Sequence, residues 1–122
     1  MIAKMTPEEL KARCKQFSLR VMRLVRALPD DRVSNTIANQ LVRSGTSVAA
    51  NYRAACLAKS PADFAYKAGI AVEESDESAL WMELLIEDNI LPAKQVESLL
   101  QEANELTAIF CASIKTSRQN NR

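Results

Sequence analysis

The sequence of 122 residues contains no histidine, two glycines and few aromatic side chains, with one Trp, two Tyr and three Phe. Without histidine the chain lacks the usual general base for Ser or Cys nucleophiles, and it also lacks the Glu-x-x-His pairs of di-iron bundles. No glycine-rich phosphate-binding loop occurs either. We therefore expect a protein without catalytic residues, cofactor or metal site.

Long apolar runs are missing as well. No run of about eighteen uncharged apolar residues could span a bilayer, and the N-terminal MIAKMTPEEL has no apolar segment of the signal-peptide type. The three cysteines Cys14, Cys56 and Cys111 are far apart and odd in number, so they fit neither a disulfide framework nor a zinc site. The sequence predicts a cytoplasmic protein without a membrane segment, with its cysteines as buried free thiols.

Apolar residues recur at helical spacing between boundaries marked by proline. Four helices are predicted, over about residues 7–28, 33–59, 61–89 and 92–117. Capping signals at Thr6-Pro7 and Ser60-Pro61 mark two of the helix starts. Short links make successive helices antiparallel. The sequence therefore predicts an all-α protein, an up-down-up-down four-helix bundle forming a single domain over residues 1–122.

On the third helix, one line of residues at helical spacing consists of Ile70, Glu74, Glu77, Trp81 and Leu84. Its two carboxylates interrupt an otherwise apolar line. Antiparallel pairing about a turn near Ser60 brings Arg43 level with Glu77, and an Arg guanidinium pairs well with carboxylates. We predict a buried polar network formed by Arg43, Ser44, Asn51, Glu74 and Glu77. Such a network is either a binding site or a device that fixes the register of the helices.

The second helix has small side chains on nearly every side. Between Ser44 and Ala58 only Arg53 is charged. A helix of an isolated bundle normally shows a broad polar face to solvent. We therefore predict a homo-oligomer whose interface includes Gly45, Ala49, Ala50, Tyr52 and Arg53.

Charge is divided between the two halves of the chain. Residues 1–59 carry eleven Lys and Arg against four acids, a net charge of +7, and residues 60–122 carry five against eleven, a net charge of −6. On the first helix, the basic residues outside the apolar seam form a candidate nucleic-acid surface of Lys11, Arg13, Lys15, Arg20, Arg23 and Arg26. The alternative is that these cations face the acidic half of the same or a neighbouring subunit.

Two segments, QLVRSGTSVAANYRAA and SPADFAYKAGIAVEESDESALWMELL, closely resemble the bacterial four-helix-bundle family associated with intervening sequences in 23S rRNA genes, the S23 ribosomal protein family. Matching positions include Gln40, Arg43, Ser44, Asn51, Lys67, Glu74, Glu77 and Trp81. The chain departs from the pattern at Ala54, where Glu is common, and at Ala68, where Leu is usual. The resemblance implies a ring-shaped homopentamer without established enzymatic activity.

More distantly, the sequence is similar to the accessory protein of diversity-generating retroelements, a resemblance that implies nucleic-acid binding and a reverse transcriptase as partner. Three functions follow as hypotheses. The first is a non-catalytic oligomeric bundle that binds RNA or a reverse transcriptase-type nucleoprotein, and it is the one that we adopt. The second is a protein-binding scaffold without nucleic-acid affinity. The third is a carboxylate-metal enzyme that draws on Glu73, Glu74, Glu77 and Glu83.

Overall fold

A computed structural model describes residues 5–120 of the chain. Its four helices are α1 (Pro7–Arg26), α2 (Arg32–Cys56), α3 (Pro61–Glu87) and α4 (Ala93–Asn120). The helix α2 packs between α1 and α3, and α4 packs along α3 and, over a shorter stretch, against α1. No strand occurs within residues 5–120. The fold is the predicted all-α, up-down-up-down four-helix bundle.

Side chains cap the N-termini of the first three helices. Thr6, Asp31 and Ser60 each accept a hydrogen bond from the backbone amide three residues later, at 3.1, 2.8 and 3.0 Å. These caps satisfy amides that have no partner inside the helix. Pro7 and Pro61 occupy the first helical positions of α1 and α3, where no amide hydrogen is needed. The Asp31 cap also explains why α2 starts at residue 32, one residue before the predicted position.

The C-terminal ends of the four helices differ from the predicted ends by two or three residues. The helix α3 ends before Asn89, which has a positive φ of 55°. The amides of Asn89 and Ile90 then bond to the carbonyls of Ile86 and Leu85, at 3.0 and 2.9 Å. Asn tolerates this left-handed closing turn, which uses carbonyls that the helix leaves free. The helices α1 and α2 stop at residues 26 and 56 rather than 28 and 59, and α4 continues to residue 120 rather than 117.

All four helices contribute to an apolar core. The spacing of apolar residues predicts a seam of Leu10, Cys14, Phe17, Val21, Leu24 and Leu28 on α1 and one of Val96, Leu99, Ala103, Leu106, Phe110 and Ile114 on α4. Leu10 to Val21 and Val96 to Phe110 of these seams are buried in the core. Other large buried side chains are Leu41, Met82 and Leu85. Tyr52 of α2 stacks on Phe110 of α4, with ring centroids 5.5 Å apart. Aromatic stacking of this kind adds to the free energy gained from burial. No helix within residues 5–120 has a stretch apolar enough to cross a bilayer.

Hydroxyl groups join each helix to the next inside the bundle. One bond links each successive pair: Ser18 Oγ donates to the carbonyl of Gly45 (2.8 Å), and the hydroxyl oxygens are 2.8 Å apart in Ser44–Ser78 and 2.7 Å apart in Ser75–Thr107. Buried polar groups need such partners. Because these side chains are small, the helices approach closely while their hydroxyls stay satisfied.

The cysteines differ in exposure. Cys14 is buried, Cys56 is half-buried and Cys111 is exposed, so the prediction of three buried thiols is correct for Cys14 alone. Burial raises the pKa of the Cys14 thiol to about 12. Cys14 is therefore a neutral packing residue at neutral pH.

Candidate nucleic-acid interface

The solvent side of α1 forms the candidate nucleic-acid surface. Lys15, Arg23 and Arg26 are exposed there and make no ion pair with any side chain of residues 5–120. Arg20 is half-buried and donates a hydrogen bond from Nη2 to Ser98 Oγ at 2.9 Å. From Lys15 to Arg26 the helix rises about 16 Å. The surface is therefore a row of cations along one helix.

Arg13 does not belong to this row, which corrects its assignment to the nucleic-acid surface. Its Nε and Nη2 donate to the two carboxylate oxygens of Glu102, both at 2.7 Å, and Nη2 also reaches Glu105 at 3.0 Å. Hydrogen bonding to Glu102 raises the pKa of the guanidinium further above its ordinary value. The side chain points to α4 because it lies on the flank of α1 that meets α4, and its donors are engaged there.

Lys11 has an intermediate position. Its Nζ is 2.9 Å from a carboxylate oxygen of Glu8, three residues earlier on α1. The Glu8 side chain is 81% exposed, and exposed pairs of this kind contribute little to stability. Lys11 can therefore exchange Glu8 for a phosphate at small cost.

The structure places Arg43 between Glu74 and Glu77. Its Nη1 is 2.9 Å from Glu74 and its Nη2 is 2.6 Å from Glu77. Hydrogen bonding to Glu77 is the main cause that raises the pKa of Arg43. The pairing across α2 and α3 is the one deduced from the helix register, but the network is not buried, since 48% of the Arg43 side chain is exposed.

Ser44 and Asn51 do not join Arg43, so the predicted five-residue network is corrected to three residues at the surface, in which Arg43 pairs with both Glu74 and Glu77. The Ser44 hydroxyl lies in the interior and bonds to Ser78. The Asn51 side chain donates to the carbonyl and the hydroxyl of Ser47 on its own helix, both at 2.9 Å. The physical reason is the rotation of α2, which turns Ser44 toward the core and Arg43 toward solvent.

Two of the predicted interface residues are used inside the subunit instead. A Cβ added at Gly45 would lie 2.7 Å from Cγ1 of Val21, so this glycine allows α1 and α2 to approach. Tyr52 is buried against Phe110. The other three, Ala49, Ala50 and Arg53, lie on the outer side of α2, with Ala50 and Arg53 exposed. They are the part of the set that another molecule can reach.

The helix α3 presents a stripe of partly apolar residues to solvent, which was not predicted from the sequence. We call it the outer stripe; its residues alternate spacings of four and three, and they are Tyr66, Ile70, Glu73, Glu77, Leu80 and Leu84. The exposed fractions are 69% for Tyr66, 46% for Leu80 and 37% for Leu84. The spacing of four and three in the sequence predicts a stripe on one face of α3, but it does not tell which face is buried. The face of α3 that packs in the core has mostly small residues, and they are Ala68, Ala71, Ser75, Ser78, Met82 and Leu85.

The carboxylates considered for a metal centre are divided between different surroundings. Glu74 and Glu77 bind Arg43, and Glu73 and Glu83 are exposed. In the part of the chain that the structure describes, no three His, Cys, Asp or Glu side chains lie close enough together to hold a metal ion. The geometry of these residues gives the carboxylate-metal hypothesis no support.

Comparisons with known proteins identify a family and a similar solved structure. The family model of the 23S rRNA-intervening sequence protein matches residues 9–112. The structure is similar to the crystal structure of a protein of unknown function from the S23 ribosomal protein family of Bacteroides thetaiotaomicron, with a TM-score of 0.83 and 33% sequence identity over 91% of this chain and 99% of that chain. No curated protein matches the sequence. The more distant resemblance to the retroelement accessory protein stays a prediction.

Proposed function

This chain belongs to the 23S rRNA-intervening sequence protein family, and we propose that it is a non-catalytic homo-oligomeric bundle, a pentamer, that binds RNA in the bacterial cytoplasm. The phosphate backbone is the part of the RNA that it recognises. A reverse transcriptase-type nucleoprotein is the larger partner that the distant resemblance suggests. The proposal assigns no chemistry to the protein.

The observation that carries the proposal is the row of cations on α1. Arg23 and Arg26 have no carboxylate partner among residues 5–120 and lie outside the α2 side of the helix, although the chain as a whole is nearly neutral. Cations without partners attract polyanions, and binding releases the counterions that the phosphates had condensed. These cations support the proposal of a phosphate-binding surface on the basic half of the chain.

The test replaces Arg20, Arg23 and Arg26 together with Gln. We expect weaker binding of a labelled RNA duplex and a flatter dependence of log affinity on log salt concentration. The slope should fall by about two to three, since each lost phosphate contact contributes about 0.7 to 0.9. Fluorescence anisotropy over a series of salt concentrations measures both quantities.

A matched control exists on α4. Replacing Lys94, Lys115 and Arg118 with Gln removes the same charge from three other exposed positions. The control should bind RNA like the parent. Equal losses in the two triple variants would mean that net charge, rather than the surface of α1, governs binding, and no binding by the parent would contradict the proposal itself.

A protein-binding scaffold is the second candidate, and the outer stripe of α3 favours it. Tyr66, Leu80 and Leu84 expose apolar surface on one face of a long helix. Exposed apolar patches rimmed by polar residues mark protein interaction sites. A parent protein that is oligomeric but binds no RNA at low salt would favour the scaffold over the first proposal.

A further inference from the structure

We infer that the outer stripe of α3 docks into the groove between α1 and α2 of a second copy of this chain. We call the latter the α1–α2 groove; its residues are Lys15 and Met22 of α1 and Val42, Ala49 and Arg53 of α2. The inference rests on the homo-oligomer proposed above and names its two contact surfaces. The contact is heterologous, because each subunit uses a different surface toward each neighbour.

The outer stripe has the pattern of a helix that packs on both sides. Its alternating spacings of four and three are those of a helix-packing seam, yet four of its residues stay exposed within residues 5–120: Tyr66, Glu73, Leu80 and Leu84. Apolar residues lie at its two ends and two carboxylates, Glu73 and Glu77, lie in its middle. Glu73 is exposed and makes no ion pair with residues 5–120. A partner surface should therefore be apolar in one part and basic in another.

The α1–α2 groove has these two parts. Ser18 contacts Gly45 where α1 meets α2. Lys15 and Met22 lie three residues before and four after Ser18, so they border the same contact on its outer edge. Val42 and Ala49 have the same relation to Gly45, and both are half-buried. Because α1 and α2 are antiparallel, Lys15 lies near Ala49 and Arg53 at a basic end, and Met22 lies near Val42 at an apolar end.

The spacing of the two parts agrees between stripe and groove. Seven residues separate the middle of the Glu73 and Glu77 pair from the middle of the Leu80 and Leu84 pair, and seven separate Lys15 from Met22. Both distances are about 10 Å along a helix. The carboxylates can therefore meet the basic end while the leucines meet the apolar end.

The direction of α3 in this pairing is compatible with a ring. With Leu80 and Leu84 as the apolar part, the two parts agree when α3 of one copy runs parallel to α1 of the next. Within the subunit, α1 and α3 point the same way, since each is antiparallel to α2. A rotation about an axis along the bundle keeps that direction in every copy. The pairing is therefore compatible with closed cyclic symmetry.

A two-fold contact between two outer stripes is disfavoured by charge. Whether the two α3 helices run parallel or antiparallel about their midpoint, Glu73 and Glu77 of one copy face Glu73 and Glu77 of the other. Like charges held together in this way cost free energy. Glu77 is already paired with Arg43, but Glu73 makes no ion pair with the side chains of residues 5–120. The basic groove of a second copy supplies one.

The experiment uses two variants that each destroy one surface. The stripe variant is Leu80→Glu with Leu84→Glu, and the groove variant is Lys15→Glu with Arg53→Glu. All four side chains are exposed, so circular dichroism and thermal unfolding should show folded proteins. Light scattering should find each variant at the monomer mass of 13.5 kDa. An equimolar mixture should form a heterodimer of about twice that mass, because one intact stripe and one intact groove remain.

Ala112→Glu is the control, since Ala112 is exposed on α4, which contributes to neither surface. It should assemble like the parent. A stripe variant that keeps the parent's mass would overturn this inference while leaving the oligomer intact. Two monomeric variants that do not combine would also overturn it. A monomeric parent would instead contradict the proposed oligomer, so the two failures are distinguishable.

A charge reversal that restores assembly of the groove variant provides a second, independent test of the contact. Adding Glu73→Lys to the groove variant restores opposite charges across the contact, since the substituted groove is acidic. We expect the triple variant to recover assembly that Glu73→Lys alone loses. Failure of the folded triple variant to assemble would count against the pairing of these two surfaces.

Discussion

At the scale of the residue, Gly45 shows how one missing side chain sets the distance between two helices. The Cβ that alanine would add lies 2.7 and 2.8 Å from the two methyl carbons of Val21, closer than packed carbons approach. The same approach allows Ser18 to donate to the Gly45 carbonyl at 2.8 Å. From sequence, the small residue predicts that a neighbour comes close, but whether that neighbour is α1 or another subunit depends on the rotation of α2.

Gly45→Ala should destabilise the protein by about 1 to 3 kcal/mol, because the new methyl group overpacks the contact with Val21. Gly69→Ala is the control, since a Cβ there meets nothing within 4 Å. In α3 that change should stabilise by about 0.5 to 1 kcal/mol through helix propensity. Urea unfolding measures both, and shifts of the same sign would contradict the close approach at Gly45.

At the scale of the element, α1 and α4 form the least extensive contact between packed helices of the bundle, and Arg13 makes ion pairs across it. Its guanidinium binds Glu102 through two nitrogens and Glu105 through one of them. The side chains of Arg13 and Glu102 are only 25% and 16% exposed. Paired charges in such surroundings contribute more than exposed ones do, and removing one of them leaves the other without compensation.

Arg13→Ala should lower the free energy of unfolding by about 1.5 to 3 kcal/mol, the range for hydrogen bonds to charged groups. Arg43→Ala should have a smaller effect, because 48% of that side chain is in solvent. The midpoints of chemical unfolding at equal ionic strength compare the two. A larger loss for Arg43 would show that α2 and α3 depend on their ion pair more than α1 and α4 depend on theirs.

Much of the helical layout could be predicted from local signals, because caps and seams depend on residues near one another in the chain. Thr6 and Ser60 cap as expected, and the seams of α1 and α4 face the core. The rotation of α3 could not be predicted this way. Apolarity alone favours the line with Trp81 and Leu84 as the buried one, whereas the core uses small residues whose hydroxyls pair with α2 and α4.

For the candidate site, register was predictable and burial was not. Antiparallel helices joined by a short turn place residues level with one another by counting, which is why Arg43 and Glu77 could be paired from sequence. Exposure depends on the angle at which a helix presents each side chain. That angle was set by contacts such as Gly45 with Val21, which no local pattern reveals.

At the scale of the whole molecule, the exposed side of α2 and the outer stripe of α3 predict assembly. We expect a mass of about five times 13.5 kDa by light scattering at micromolar concentration. Ala50→Glu should lower this mass without unfolding the protein, because Ala50 is exposed beside the α1–α2 groove. Ala112→Glu on the exposed side of α4 is the control and should assemble normally. A monomeric parent would contradict assembly, and a dimer would contradict five-fold symmetry alone.

The separation of +7 on the first half of the chain from −6 on the second makes each subunit a permanent electric dipole. In a closed cyclic assembly the in-plane components of these dipoles cancel by symmetry. In an open fragment of the same ring they add as rotated vectors, and their sum does not vanish until the ring closes. Transient electric birefringence would therefore distinguish a closed ring from a fragment that lacks one or more subunits, because only the fragment would orient through an in-plane moment.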